Sequence, residues 1–332
     1  MTAARSDGSA WIDDNRPIRL GISACLLGEA VRYDGGHKRD SFLVEVFGPI
    51  VEWVPVCPEM DAGFGTPREA MHLVRHGDDI RLVTVNSGRD VTAPLQNAAA
   101  TRLRSLDCED LSGYVLKKNS PSCGLIDVQM HDRDGRSSAS GSGMFASALA
   151  ERFPHLPLEE EGRLSEPPVR EHFIERVFGY WRLRGLFRME WTVADLVRFH
   201  SAHKLILMSH APKACTALGR VTAEANTLGR AETERRYSEG FMSTLANVPT
   251  TGRHTNVLQH MAGYFSQRLD QAARDELHAT IADYHRGLVP LVVPITLIRH
   301  HVRALNVSYL AGQIYLSPHP KELTLRTGRK EA

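Results

Sequence analysis

The stretch "SGYVLKKNSPSCG" (Ser112–Gly124) decides the fold class. An apolar run carrying Tyr, Val and Leu stops at two lysines, turns through Asn-Ser-Pro-Ser, and sets a cysteine against a glycine. The run reads as a strand, and the Pro- and Gly-punctuated stretch as the turn that ends it. A cysteine kept only for packing belongs inside the apolar run. Cys123 lies just past its end, where backbone bends and ligands usually bind.

Three earlier segments share this rhythm: "IRLGISA" (Ile18–Ala24), "IVEWVPV" (Ile50–Val56) and "DIRLVTV" (Asp79–Val85). Each is rich in β-branched residues and bounded by Gly, Pro or Asp, so each reads as a strand. Between the third and fourth runs lies "VTAPLQNAAATRLRSLDCED", a helix opened by Thr92 with Pro94 in its first turn. A later helix, "SGMFASALAERF" (Ser142–Phe153), closes the layer. Strands separated by helices imply βαβ units and a mostly parallel, Rossmann-like sheet.

The rest of the chain reads differently. Residues 1–17 form a polar leader without the apolar core of a signal peptide. Residues 18–155 carry the α/β pattern, and 156–168, rich in proline and acid, read as a linker. Residues 169–332 show almost only helical periodicity. There, Thr192 with Asp195 three residues on suits a capping box. Val193, Leu196, Val197, His200 and Leu207 follow as one helical stripe. Asp270 caps a second helix, with Leu277, Ile281 and Tyr284 on one face and Gly287 as terminator. The expected architecture is an α/β N-terminal domain followed by an all-α C-terminal domain.

Length and composition fit this division. A chain of 332 residues exceeds what one core usually serves. No run is apolar enough for a membrane span; "GLVPLVVPITLI" (Gly287–Ile298) is short and broken by Pro290 and Pro294. A cytoplasmic location follows by default. The net charge of +1 hides an asymmetry. Residues 1–165 hold 18 Lys/Arg and 24 Asp/Glu, giving −6; residues 166–332 hold 22 and 15, giving +7. A basic module joined to an acidic one points to a polyanion for the second half.

Five cysteines, odd in number and widely spaced, argue against a disulfide framework and for metal binding or reactivity. Cys25 follows the first strand, Cys57 the second and Cys123 the fourth. In a parallel sheet all carboxyl ends share one edge, and ligands bind outside it. Residues 98 positions apart thus meet at one place. Three thiolates suit a zinc with an open position, or an iron–sulfur cubane with one iron left free. Cys108 and Cys215, in helical stretches, read as structural.

Together, "SACLLGEAVRYDGG" (Ser23–Gly36), "PVCPEMDAGFGTPR" (Pro55–Arg68) and "KKNSPSCG" resemble the thiouracil desulfurase (TudS) family. In the second half, "RFHSAHKLILMSHAPKACTALG" (Arg198–Gly219), "NVLQHMAGYF" (Asn256–Phe265) and "YLAGQIYLSPHPKELTLR" (Tyr309–Arg326) resemble the helical domain often fused to it. The fused form is similar to two-domain desulfidases that remove sulfur from 4-thiouridine in tRNA. The resemblance implies a 4Fe-4S cluster held by Cys25, Cys57 and Cys123, with one iron not ligated by protein. The substrate's sulfur binds that iron, water oxygen replaces it at the base carbon, and sulfide leaves without net redox change.

Such chemistry needs a base for the attacking water and a proton for the leaving group. Glu59, two residues past Cys57, is the first candidate. Asp34 in "RYDGG" is the second, although Asp-Gly is also the commonest turn dipeptide. Ser120 and Ser122 flank Pro121, with hydroxyls for the base, the cluster sulfides or their own turn. Lys117 balances an anionic cluster or contacts phosphate, and Arg68 in "TPR" has the same two readings. In the helical half, Arg198, Lys204, Arg253, His254, Arg299 and Arg303 are the RNA-binding candidates, interleaved with His203, His210, His260, His300 and His301. Two other readings remain. One is an enzyme acting only on free thiouracil or thiouridine. The other is a non-catalytic, metal-stabilised RNA-binding or sulfur-trafficking protein.

Overall fold

The computed structural model describes residues 16–77, 79–132, 137–188, 190–320 and 323. Apart from Arg16 and Pro17, the leader lies outside the described residues. Two compact units divide the chain, one built on residues 14–180 and the other on 181–320.

The first unit holds two four-stranded sheets. Sheet A comprises β1 (Ile18–Ser23), β2 (Val51–Val56), β5 (Leu111–Leu116) and β8 (Leu158–Glu160), in the order β2-β1-β5-β8. Every pairing in it is parallel. β5 is buried along its whole length, as a central strand covered on both faces must be. Gly21 on β1 lies opposite Tyr114 on β5; a Cβ there would stand 2.0 Å from the tyrosine ring. Helices α2 (Thr92–Leu106) and α3 (Met144–Arg152) cover one face. Ala99, Leu103, Phe145 and Leu149 pack with Val54, Tyr114 and Leu116, and Cys123 sits in the same cluster.

Sheet B joins β3 (Met71–His76), β4 (Asp79–Thr84), β6 (Val128–His131) and β7 (Ser137–Gly141), in the order β4-β3-β6-β7. This corrects one expectation. The run at 79–85 is no member of the parallel sheet. It pairs antiparallel with β3 in a hairpin, because the sharp turn around Gly77 (φ +67°) leaves no room for a crossover helix. Leu95 of α2 packs with Leu73 and Leu82, so this helix serves both sheets.

A second correction concerns the stretch read as a linker. Residues 158–160 form β8, paired with β5 through Tyr114, Val115 and Leu116. Proline and acid mark a connection only when the acids face solvent, and Glu159 and Glu160 are buried. A four-residue helix, α1 (Pro58–Asp61), follows Cys57. Helix α4 (Pro167–Arg188) then leads on, and the division between units falls within it, at Tyr180 and Trp181.

The second unit is helical: α5 (Val193–His210), α6 (Pro212–Ala223), α7 (Ala225–Leu228), α8 (Arg230–Leu245), α9 (Thr251–Gly263), α10 (Gln271–His285), α11 (Val292–Ala304) and α12 (Ser308–Ala311). Helix α5 packs against α6, α8 and α9, and α10 against α9 and α11. The capping box at Thr192 forms with Asp195, and Asp270 accepts from the Ala273 amide. The buried face of α5 carries Leu196, Phe199, His203 and Ile206. Val197, placed on the apolar stripe by sequence, is 49% exposed. No described helix is long and apolar enough to cross a membrane.

Candidate active site

At the carboxyl edge of sheet A, three turns surround a pocket of about 440 Å³. Cys25 comes from the turn after β1, Cys57 from the start of α1 after β2, and Cys123 from the turn after β5. All three line the pocket and all are free thiols. Topology alone brings them there. In a parallel sheet, three strand ends on one edge deliver three turns to one place.

The Cys123 turn is built from its own backbone. The Ser120 hydroxyl accepts from the amides of Ser122 (3.3 Å) and Cys123 (3.0 Å). Asn119 takes the left-handed conformation, φ +57°. The carbonyls of Pro121 and Ser122 accept from the Met144 and Phe145 amides, which fills acceptor positions for the first turn of α3. Gly124 admits no side chain, since a Cβ would lie 2.4 Å from Val128 Cγ2 and 2.8 Å from the Ser120 carbonyl oxygen. Cysteine against glycine therefore has a steric cause: the turn is pressed against sheet B on one side and α3 on the other.

Glu160 at the end of β8 and Glu161 just after it hold the turn from outside. Glu160 accepts from the amides of Leu125 (2.7 Å) and Ile126 (3.2 Å). Glu161 accepts from Lys117 Nζ (2.5 Å) and the Lys118 amide (2.7 Å). Sequence reasoning missed both roles by reading three consecutive acids as linker. A three-acid run beside a strand-ending lysine pair was the available signal.

Burial raises all three thiols. Cys25 is pushed up to about 11 by desolvation and then by Cys57; Cys123 is pushed up to about 12 by desolvation and then by Cys57. Cys57 is also raised, mainly by desolvation. At pH 7, pKa values near 11 and 12 leave roughly one thiolate in 10⁴ to 10⁵. Such thiols are poor nucleophiles unaided, whereas a bound metal deprotonates its ligands outright. Among the described residues, no three His, Cys, Asp or Glu are grouped closely enough to hold a single metal ion. The donor set, three free thiols around one pocket, suits a soft iron–sulfur group by its chemistry.

Glu59 lines the same pocket and is held from two sides. Ser122 Oγ donates to its Oε1 at 2.8 Å, and Arg68 Nη2 donates to its Oε2. Ser122 is fully buried, so Glu59, Ser122 and Arg68 form one fixed network. Lys117 also lines the pocket, paired with Glu161. Asp34 is not brought in. It accepts from the Gly36 amide (3.1 Å) and from Arg32, and these contacts hold its carboxyl below the usual range. It is a half-exposed turn carboxylate engaged by its own turn and by Arg32.

The basic candidates of the helical unit separate into two groups. Arg198 and Arg303 are exposed, Arg198 paired with Asp195 three residues back, and Lys204 is exposed. Arg253 donates to the His210 carbonyl, and His254 meets the Tyr315 hydroxyl at 2.7 Å. Arg299 is half-buried. His203, His210 and His301 are buried, and His203 stacks on Phe199 with centroids 4.0 Å apart.

A parallel-edge pocket of cysteines with a tethered carboxylate offers a donor set of the kind that soft metals select. The family model described as 2-thiouracil desulfurase matches residues 20–161. A second, described as a protein of unknown function (DUF1722), matches residues 204–320. The uncharacterized protein YbgA of Escherichia coli (strain K12) is 30% identical over 152 residues, spanning 46% of this chain and 90% of that protein. The uncharacterized protein YbbK of Bacillus subtilis (strain 168) is 34% identical over 134 residues, 39% of this chain and 87% of that protein. A solved structure, the 4Fe-4S-dependent thiouracil desulfidase TudS, is 33% identical, covering 45% of this chain and 94% of that one with a TM-score of 0.37. The chain belongs to the 2-thiouracil desulfurase (TudS) family, in a form fused to the helical domain of unknown function.

Proposed function

We propose that this protein is a 4Fe-4S-dependent desulfidase that converts 4-thiouridine in tRNA to uridine and releases sulfide. The observation that carries the reading is the convergence of Cys25, Cys57 and Cys123 on one pocket beside a tethered glutamate. Those three cysteines would hold the cluster. When bound, it supplies a Lewis-acidic iron without a protein ligand, matched to the sulfur of a thiocarbonyl.

The chain's own groups supply the rest. The water oxygen forms a bond to the base carbon, the carbon–sulfur bond breaks, and the two water protons end on sulfide. No electron is gained or lost overall. Glu59 takes the first proton from the attacking water and returns it to the departing sulfur. Ser122 and Arg68 fix its carboxylate so that its direction is set before substrate arrives. Ser120 has the structural role, capping the turn that carries Cys123. Lys117 steadies the pocket rim through Glu161.

A base stacked in folded tRNA must turn outward to reach such a pocket, which costs a few kcal/mol. The helical unit gives affinity that one nucleotide cannot, through exposed cations such as Arg198, Lys204 and Arg303 on phosphate. The competing substrate is free thiouracil, the compound after which both the matched family and the solved desulfidase are named.

The test is anaerobic incubation of the iron-loaded full chain with bulk tRNA, then nucleoside analysis and sulfide measurement. Loss of 4-thiouridine matched by uridine and sulfide is expected. Turnover of free thiouracil with tRNA untouched would assign the smaller substrate. No sulfide from either would remove the desulfidase reading.

A further inference from the structure

One residue lining the pocket, Arg68, has a buried polar atom without a hydrogen-bond partner. The Arg68 side chain is 6% exposed. Its Nη2 donates to Glu59, and its Nη1 to the Gly65 carbonyl at 2.7 Å and toward Met60 Sδ at 3.9 Å. Its Nε is buried without a hydrogen bond. Leaving a buried donor unpaired costs about 1–3 kcal/mol, more for a charged group. A guanidinium with its other edges satisfied and one N–H left without an acceptor, on a residue that lines the thiol pocket, points to an acceptor belonging to whatever that pocket binds.

Its charge points the same way, since Arg68 lines the pocket together with Cys25, Cys57 and Cys123. Arginine keeps its charge at physiological pH. The other cations lining the pocket are less suited: Lys117 pairs with Glu161, Arg32 with the exposed Asp34, and Lys38 and Lys118 are exposed. None presents a buried unpaired donor.

We propose that Arg68 is a positioning residue for the cluster, its Nε–H donating to a sulfur of the bound iron–sulfur group and its fixed charge offsetting the thiolates. This rests on the cluster in the function proposed above but not on the identity of the sulfur substrate. Arg68 then acts twice, orienting Glu59 through one nitrogen and retaining the cluster through another.

The test compares anaerobically reconstituted full-length wild type with Arg68→Gln, Arg68→Lys and Glu59→Gln. The readouts are the cluster's reduction potential and its rate of loss to a chelator. Loss of an outer contact of this kind weakens metal retention by about 10- to 100-fold. Arg68→Gln should therefore lose the cluster at least about 10-fold faster, with its potential moved down. Arg68→Lys keeps the charge and should hold a near-wild-type potential while still losing the cluster faster. Glu59→Gln removes a negative neighbour and should move the potential up. Wild-type retention and potential in folded Arg68→Gln would overturn the proposal. If circular dichroism shows that variant unfolded, wild-type retention in Arg68→Lys overturns it instead. A wild type that takes up no cluster would bring down the cluster reading itself, a result separate from any variant's.

Discussion

The sheet edge of the first unit and the helices of the second treat their chemistry-bearing residues in opposite ways. On sheet A, cysteines 98 positions apart in sequence line one pocket, because parallel strands put successive turns at a common edge. In the helical unit, residues close in sequence part company. Arg198 and Lys204 stay exposed, whereas His203 between them stacks in the core on Phe199. Proximity along a helix decides only which face a residue shares, and the face is set by packing. A site on a sheet edge can thus be read by listing strand ends, while a basic surface on helices cannot be read by listing neighbours.

The largest effects should come from the sheet edge. Cys25→Ala, Cys57→Ala and Cys123→Ala should each abolish both iron retention and sulfide release, measured after anaerobic reconstitution. A variant with normal iron and turnover would take that cysteine out of the site. Glu59→Gln should keep the iron and lose about 10²-fold or more in turnover, the usual contribution of a positioned acid or base. Near-wild-type rates there would move the proton-transfer role elsewhere.

Next comes the packing beneath the site. Gly124→Ala should destabilise the first unit by about 1–3 kcal/mol in denaturant titration, the usual effect of overpacking, since Val128 and the Ser120 carbonyl stand in the way. Unchanged stability would mean that the Cys123 turn yields more easily than its contacts imply.

The helical unit offers a pH test. Burial, aided by Arg182, pushes His203 down to about 3 from its ordinary 6.5. The folded state therefore holds this imidazole neutral where the unfolded chain protonates it. Stability contributed by His203 is present above pH 6.5 and falls as pH drops from 6.5 toward 3, by about 1.4 kcal/mol per pH unit. His203→Phe should flatten the acid limb of unfolding in that window, and an unchanged limb would place the sensitivity on other groups. The smallest effects belong to the exposed cations. Lys204→Ala should leave folding intact and lower the salt slope of tRNA binding by about one. Arg253→Ala should instead lower stability, because its guanidinium holds the His210 carbonyl.

How much was legible follows the same division. β1, β2 and β5 were visible as β-branched runs, and the cysteines behind them line one pocket. Sheet B was not visible as a sheet. β3, "MHLVRH", mixes polar and apolar residues, and its partner β4 was assigned to the wrong sheet because a strand's sequence does not name its neighbour. β8 was hidden by composition, since its glutamates are buried by amide and ion-pair contacts that only tertiary structure supplies. Glu59 and Ser122 were legible as candidates, but their hydrogen bond spans 63 positions and required the fold. Asp34 shows the reverse, a carboxylate beside the right motif whose lone pairs serve its own turn.

The most direct test is a Mössbauer spectrum of the anaerobically reconstituted chain, recorded before and after adding thiouracil. A cubane held by Cys25, Cys57 and Cys123 should show one distinct iron, with the ligand's effect confined to about a quarter of the absorption. A chain that binds no iron, or a cluster whose spectrum ignores the ligand, would contradict the claim that these three turns build a sulfur-accepting site.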